Sequence, residues 1–143
     1  MKKIYTYLSV VLVASLLLAA CSKRGGGYAH DDGYDYWLRQ ENGVVVYSDT
    51  YCPYYVVETY DGYTIIRATS GYTPYEGDEI YGDLSRRGYR DFLNYTDDMI
   101  IRGEVTDYWL SYADAQYLID NLCYTYGKGG EKKVIKQGLL KKK

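Results

Sequence analysis

The chain has few of the residue types on which most enzyme active sites depend. It contains a single histidine, His30, and three cysteines among 143 residues. A Ser-His-Asp or Cys-His triad needs a histidine held beside its nucleophile, and His30 lies in a glycine-rich stretch that cannot fix a side chain in place. Cys52 and Cys123 lack the CxxC spacing of thiol redox centres. We therefore predict no catalytic residue and expect a protein that is not an enzyme.

Long apolar runs are also missing, apart from one near the amino end. Residues 8–18 form a run of 11 residues that only two serines interrupt. A membrane-spanning helix needs roughly 20 apolar residues, so this run is too short to cross a bilayer. It follows Lys2 and Lys3, and its length is typical of the core of a secretory signal peptide. We therefore predict that residues 1–20 are removed after export.

The motif at the end of that run predicts where the protein is located in the cell. Leu18-Ala19-Ala20-Cys21 resembles the lipobox of bacterial lipoproteins, in which a branched apolar residue and two small residues precede an obligatory cysteine. The resemblance implies that Cys21 carries lipid and holds the protein to a membrane. An aspartate after that cysteine favours the inner membrane in Gram-negative lipoproteins, so Ser22 favours the outer membrane, facing the periplasm or the cell surface. An ordinary signal peptide with a chance cysteine is the alternative.

Lipidation of Cys21 leaves one possible cysteine pair. Cys52 and Cys123 are the remaining cysteines, and exported proteins fold in an oxidising compartment that favours disulfides. Closing a loop of about 70 residues stabilises a fold by about 4 kcal/mol in the chain-entropy model. The alternative is two unpaired cysteines packed as small apolar residues.

Basic residues are scarce in most of the mature chain. Residues 21–127 contain 8 Lys or Arg against 18 Asp or Glu, a net charge of −10, whereas residues 128–143 have a net charge of +6. An acidic surface argues against nucleic-acid binding, because phosphate contacts need positive charge. The spaced oxygen ligands of an EF-hand calcium loop are missing. We therefore expect no cofactor, no metal site and no nucleic-acid partner.

Glycine and lysine divide the mature chain into three parts. Residues 21–33 contain three consecutive glycines and predict a flexible tether. Residues 34–127 predict a single small domain. The lysine-rich tail, residues 128–143, favours either a basic amphipathic element on an anionic lipid or polymer surface or a disordered, solvated segment.

Short runs rich in β-branched and aromatic residues predict a mainly β, α+β domain. The strand candidates are residues 43–47, 54–60, 63–68, 79–82, 89–95 and 99–108. A helix over about residues 111–123 follows, because Ser111 can cap it and apolar residues recur at helical spacing from Ala115 to Leu122. Our best architecture is a small bent sheet or partly open barrel of the OB or SH3 kind, with about five strands and one carboxy-terminal helix.

The clearest local signal is the pair Asp61-Gly62 between two strand candidates. Its tolerance of positive φ predicts a two-residue type I′ turn with Tyr60 opposite Tyr63. The other face of the hairpin would then be a mixed aromatic and charged surface. The face that suits a core consists of Tyr55, Val57, Thr59, Thr64, Ile66 and Ala68.

Carboxylates are the one chemical option left. A glycan hydrolase works through two acids that flank the scissile bond, although adjacent acids in turns are usually solvated. The candidates are Asp78, Glu79, Asp97, Asp98, Glu104 and Asp107.

Tyrosine is the unusual feature, with 21 residues against one Phe and two Trp. Its flat ring and polar tip suit binding surfaces and stacking on sugars, but tyrosine is also an ordinary strand residue. A core this small cannot hide all of them, so we predict an exposed aromatic face. Its members would be Tyr54, Tyr60, Tyr63, Tyr72, Tyr75, Tyr81 and Tyr89.

These observations predict a lipid-anchored protein of the cell envelope, with a non-catalytic binding or structural domain whose surface is acidic and rich in tyrosine. Its expected partners are the membrane, through Cys21, and an envelope protein or glycan. Two alternatives stay open: a carboxylate-dependent hydrolase of envelope glycans, and an acidic inhibitor of a basic enzyme.

Overall fold

The computed structural model describes residues 31–124 and 134–140. By its internal contacts the chain divides into two units, Met1–Gly33 and Tyr34–Lys143, and all the described strands belong to the second. The predicted signal peptide, Cys21, His30 and the lysines of residues 128–133 lie outside the described residues. The elements in chain order are α1 (Asp31–Leu38), β1 (Glu41–Asp49), β2 (Cys52–Thr59), β3 (Gly62–Ala68), β4 (Glu79–Gly82), β5 (Gly88–Asn94), β6 (Met99–Leu110) and α2 (Tyr112–Tyr124).

The strands form a closed antiparallel barrel in the order β1-β2-β3-β6-β5-β4. It closes where β4 pairs with β1, with Glu41 opposite Gly82 and Gly43 opposite Ile80. The predicted small β barrel with one carboxy-terminal helix is confirmed. It has six strands instead of about five, and it is closed instead of partly open.

The barrel interior is an apolar core to which every strand contributes. Inward residues alternate along the strands, as the two-residue period of β structure requires. Gly103 is needed on β6 because a Cβ there would lie 2.6 Å from the side chain of Ile66. The buried members are Val45, Tyr55, Val57, Ile66, Ile80, Leu84, Phe92, Ile101 and Val105.

Helix α2 covers the outer face of β2 and β3. Ser111 caps it as predicted, because its hydroxyl accepts from the backbone N–H of Asp114 at 3.2 Å. The buried stripe of the helix packs against β1, β2 and β3 in a second apolar cluster, and Cys123 on this stripe forms a disulfide with Cys52. The predicted pairing of the two cysteines is therefore present.

The predicted register of the β2–β3 hairpin is wrong by two residues. Thr59 pairs with Gly62, so Tyr60 and Asp61 occupy the turn. Among the described non-glycine residues only Asp98 and Trp109 have positive φ, whereas a type I′ turn needs positive φ at both central positions. Because side chains alternate between the two faces of a strand, a shift of two residues leaves the predicted core face pointing inward. The opposite face is not the mixed surface expected, because α2 covers much of it.

Part of the lysine-rich tail packs on the domain. Ile135 is buried against α2 and donates its backbone N–H to Gln116 at 2.9 Å. The backbone N–H groups of residues 138–140 donate to the Glu58 carboxylate at 2.8–3.1 Å. These contacts hold residues 134–140 against the domain, although Ile135 is the one residue of the segment that is buried and most of the others are exposed. We call α2, residues 134–140 and the strand faces beneath them the helix-covered side.

Candidate functional site

The seven tyrosines of the predicted aromatic face do not form one surface. Tyr60, Tyr75 and Tyr89 are exposed, whereas Tyr81 is only 8% exposed. Tyr54, Tyr63 and Tyr72 are half-buried. Tyr60 and Tyr75 belong to the loops at opposite ends of β3, so even the exposed members are dispersed.

The less exposed tyrosines hold the barrel together. Tyr81 donates its hydroxyl to Glu79 at 2.6 Å, and burial together with this carboxylate raises the pKa of Tyr81 to about 12. Tyr63 donates to Glu58, and its ring lies edge-on to Tyr112 at 6.0 Å. These hydroxyls satisfy acidic residues within the domain, which is a structural role.

One end of the barrel is closed by a polar cluster. Tyr72 donates its hydroxyl to Asp97, and Asn94 donates to the buried carboxylate of Asp78 at 2.8 Å. Burial and the Asp97 carboxylate raise the pKa of Tyr72. The side chains in this cluster bond to one another, and we call it the closed end.

A cleft lies at the opposite end of the barrel. It has a volume of about 740 Å³ and lies between α1, the start of β1, the connection from β4 to β5 and the end of β6. This volume is in the range of small-molecule sites, roughly 300–1,000 Å³. We call it the rim cleft.

Three aromatic residues, Tyr36, Trp37 and Trp109, contribute to the walls of the rim cleft. Tyr36 and Trp37 of α1 lie edge-to-face with ring centroids 5.3 Å apart. Trp109 of β6 lines the cleft and lies edge-to-face with Tyr108 at 5.2 Å. Both tryptophans of the chain therefore line the same cleft, and Trp109 remains 61% exposed.

The position of Trp109 depends on an irregular backbone. Its φ is +55°, a conformation that bulky residues rarely adopt and that costs on the order of 1–3 kcal/mol. The pairing of β6 with β3 shifts between Asp107, opposite Ile65, and Leu110, opposite Tyr63. Such a bulge at a barrel rim redirects side chains, and here the indole extends into solvent.

The charged residues of the rim cleft are mutually paired. Glu41 accepts from the backbone N–H of Leu84 at 3.0 Å and from the Ser85 hydroxyl. Asp83 faces two arginines, with its carboxylate 3.2 Å from Arg90 and 3.4 Å from Arg86. Each of these acids thus has partners within the domain.

Asp91 completes the acidic lining of the rim cleft. Arg102 donates two hydrogen bonds to its carboxylate, at 2.7 and 3.1 Å. Hydrogen bonding to this arginine and its positive charge hold the pKa of Asp91 below its usual value. The carboxylate is therefore ionised and paired.

The acids predicted as hydrolase candidates lie elsewhere. None of them lines the rim cleft. Glu104 pairs with Arg67 at 2.5 Å and Asp107 pairs with Arg87 at 2.6 Å. In residues 31–124 and 134–140 no group of three His, Cys, Asp or Glu side chains is arranged to hold a metal ion. Neither helix of these ranges is long and apolar enough to cross a membrane.

The residues of the rim cleft were not identified from the sequence. Its one usable signal is that the chain has only two tryptophans, but their proximity depends on the path of β6 and on α1. Chemically, the cleft offers flat apolar rings beside paired polar groups, which suits binding. The chain matches no protein-family model, no curated protein and no solved structure.

Proposed function

We propose that the chain is a lipid-anchored protein of the bacterial cell envelope, and that its barrel is a non-catalytic module that binds an envelope protein or glycan in the rim cleft. The anchor rests on the resemblance of residues 18–21 to a lipobox. The binding role rests on the cleft geometry.

The single observation that carries the binding role is Trp109. A large aromatic ring that is mostly exposed and set on a left-handed backbone brings little stability to the fold. Backbone strain of this kind concentrates at functional sites, where surrounding structure holds it in place. A ligand contact accounts for both the exposure and the strain.

The pairing of the carboxylates supports binding without catalysis. Glycoside hydrolysis needs one acid that gives a proton and a second that attacks or activates water. In the rim cleft the carboxylates of Glu41, Asp83 and Asp91 already bond to backbone, serine or arginine groups of the domain. These acids therefore serve the architecture of the cleft.

A capture experiment tests the binding role. The processed protein is immobilised and exposed to solubilised envelope material, in parallel with Trp109→Ala and with Tyr117→Ala, a matched exposed aromatic on α2 away from the cleft. Wild type and Tyr117→Ala should retain the same partners, and Trp109→Ala should lose them. Equal retention by all three proteins contradicts a binding role for the cleft.

The anchor is tested separately in a bacterial host. Labelled palmitate should enter the wild-type protein, and Cys21→Ala should abolish labelling because the thiol that receives the lipid is gone. A label that persists in Cys21→Ala contradicts lipidation at this position.

A further inference from the structure

The aromatic pairs of the rim cleft suit the apolar face of a sugar ring. Tyr36 and Trp37 approach from α1, and Trp109 from the end of β6. The Tyr36–Trp37 and Tyr108–Trp109 pairs are edge-to-face, with interplanar angles of 78° and 83°. In each pair one ring is nearly perpendicular to the other. The flat ring of Trp109 is left open to solvent. A pyranose presents a patch of C–H groups that packs on such a surface, with its hydroxyls directed to the sides.

The charges in and beside the cleft balance. Its lining contains Glu41, Asp83 and Asp91 against Arg86 and Arg90, and Arg102 pairs with Asp91 from outside the lining. An ionic ligand would have to displace one of these partners, which leaves a charge uncompensated. The surrounding acidic body, with a net charge of −10 over residues 21–127, further disfavours phosphates and other anions. A cation would have to compete with Arg86, Arg90 and Arg102 for the carboxylates that these arginines already pair with.

Hydrogen-bonding groups remain in excess of those used within the domain. Arg86 is 75% exposed along its side chain and makes one long contact to Asp83, so most of its N–H donors face solvent. Within residues 31–124 and 134–140, the side-chain amide of Gln40 makes a single 3.5 Å contact, to the carbonyl of Tyr36. Ionised carboxylates accept several hydrogen bonds each, which leaves acceptors on Glu41 as well. Mixed donors and acceptors without net charge match a set of hydroxyl groups.

We propose that the rim cleft binds an uncharged saccharide, with a pyranose ring packed on Trp109 and its hydroxyls bonded to Arg86, Gln40 and Glu41. This inference rests on the proposed binding function and names its ligand class. A cleft of about 740 Å³ has room for a short oligosaccharide.

Intrinsic fluorescence provides a direct assay, because both tryptophans of the chain line the cleft. The processed protein is kept in a detergent without a sugar headgroup and titrated with chitotriose, maltotriose and cellotriose. Trigalacturonate serves as the anionic probe and choline as the cationic probe. We expect a saturable change in tryptophan emission with at least one neutral trisaccharide and none with the charged probes.

Variants connect that change to the ring. Trp109→Ala should weaken the affinity by about tenfold, the equivalent of 1.4 kcal/mol, with Trp37 as the remaining reporter. Trp109→Tyr should keep most of the affinity because an aromatic face is retained, and Tyr117→Ala should keep all of it. Thermal unfolding of each variant shows that it is folded.

The outcomes distinguish failure of the saccharide proposal from failure of the proposed binding function. A response to choline or trigalacturonate alone, or to no probe, overturns the assignment of a neutral saccharide. If envelope capture still depends on Trp109 in that case, the binding module stands and only its ligand class is wrong. If capture is also independent of Trp109, both proposals fail.

Discussion

The helix-covered side and the rim cleft differ in how far their apolar side chains are buried. On the helix-covered side Ile119 and Cys123 are fully buried, and even the backbone N–H groups of residues 138–140 bond to a carboxylate. At the rim cleft Trp109 is mostly exposed on a strained backbone. The apolar stripe of α2 is buried within the domain, whereas the aromatic ring of Trp109 is open to solvent.

The contrast indicates that one region of this small barrel stabilises the fold and another is suited to binding. Stability is not uniform across a fold, and regions that bind ligands are drawn from its less stable parts. A disulfide and an apolar cluster on the helix-covered side allow the rim to carry strain without loss of the fold. Changes on the helix-covered side should therefore affect unfolding, and changes at the rim should affect binding.

The largest effect is expected from removal of the disulfide. Cys52→Ser combined with Cys123→Ser opens a link across 71 positions of sequence and should lower the free energy of unfolding by about 4 kcal/mol. Urea denaturation measures the loss. Before unfolding, the emission maximum of the rim tryptophans should match that of the wild type. A loss below about 1 kcal/mol would contradict a stabilising role for the link.

A buried isoleucine on α2 should give the next largest effect. Ile119→Ala leaves a cavity between the helix and the sheet and should cost about 3 kcal/mol, because Ile119 has no exposed surface. Ile100→Ala is the matched control, since Ile100 is 51% exposed, and it should cost about 0.5 kcal/mol or less. Similar midpoints of thermal unfolding for the two variants would show that α2 is not firmly packed.

Alkaline pH should weaken the helix-covered side through Tyr63. Burial and the neighbouring Glu58 raise the pKa of Tyr63 above its ordinary value of 10.0. The folded state therefore holds this proton more tightly, so the contribution is present below pH 10 and is lost as pH rises above it. The loss should not exceed one hydrogen bond, about 1 kcal/mol. The urea midpoint should fall less between pH 9 and pH 11 in Tyr63→Phe than in wild type. An equal fall in both proteins contradicts the prediction.

The smallest effect on stability, with the largest on binding, is expected at the rim. Trp109→Gly removes the ring but relieves the positive φ, so the free energy of unfolding should change by less than about 1 kcal/mol. Trp109→Ala removes the same ring and keeps the strain, so it should unfold at a lower temperature than Trp109→Gly. The reverse order of unfolding temperatures would show that the backbone at this position is not strained.

Much of the fold was predictable because its signals are local. Alternation of apolar residues placed the strands, and Ser111 with the apolar stripe of α2 placed the helix. Closure of the barrel was not predictable, since it depends on the pairing of β4 with β1 between residues far apart in sequence. The register of the β2–β3 hairpin failed for a related reason. Gly62 lies against the backbone of Leu110 on β6, which the local sequence does not reveal.

The candidate site was less predictable than the fold. Tyrosine was predicted to form an exposed aromatic face, but the exposure of each side chain is set by tertiary packing. Tyr81 is buried, for example, whereas Tyr75 is exposed. Tyr36 and Trp37 lie inside the predicted domain, but no strand or helix was predicted over them, so their place on α1 was not foreseen. Trp109 depends on a bulge that strand periodicity cannot indicate.

Closure of the barrel has a consequence for the lipid-anchored state that we propose. Each of its six strands is hydrogen-bonded to a neighbour on both sides. A strand with a free side is a template for pairing with another chain, and it promotes aggregation. Copies anchored by lipid in one membrane would share a plane and meet often. A closed barrel offers no free strand edge, so such copies would not be joined by edge-to-edge strand pairing.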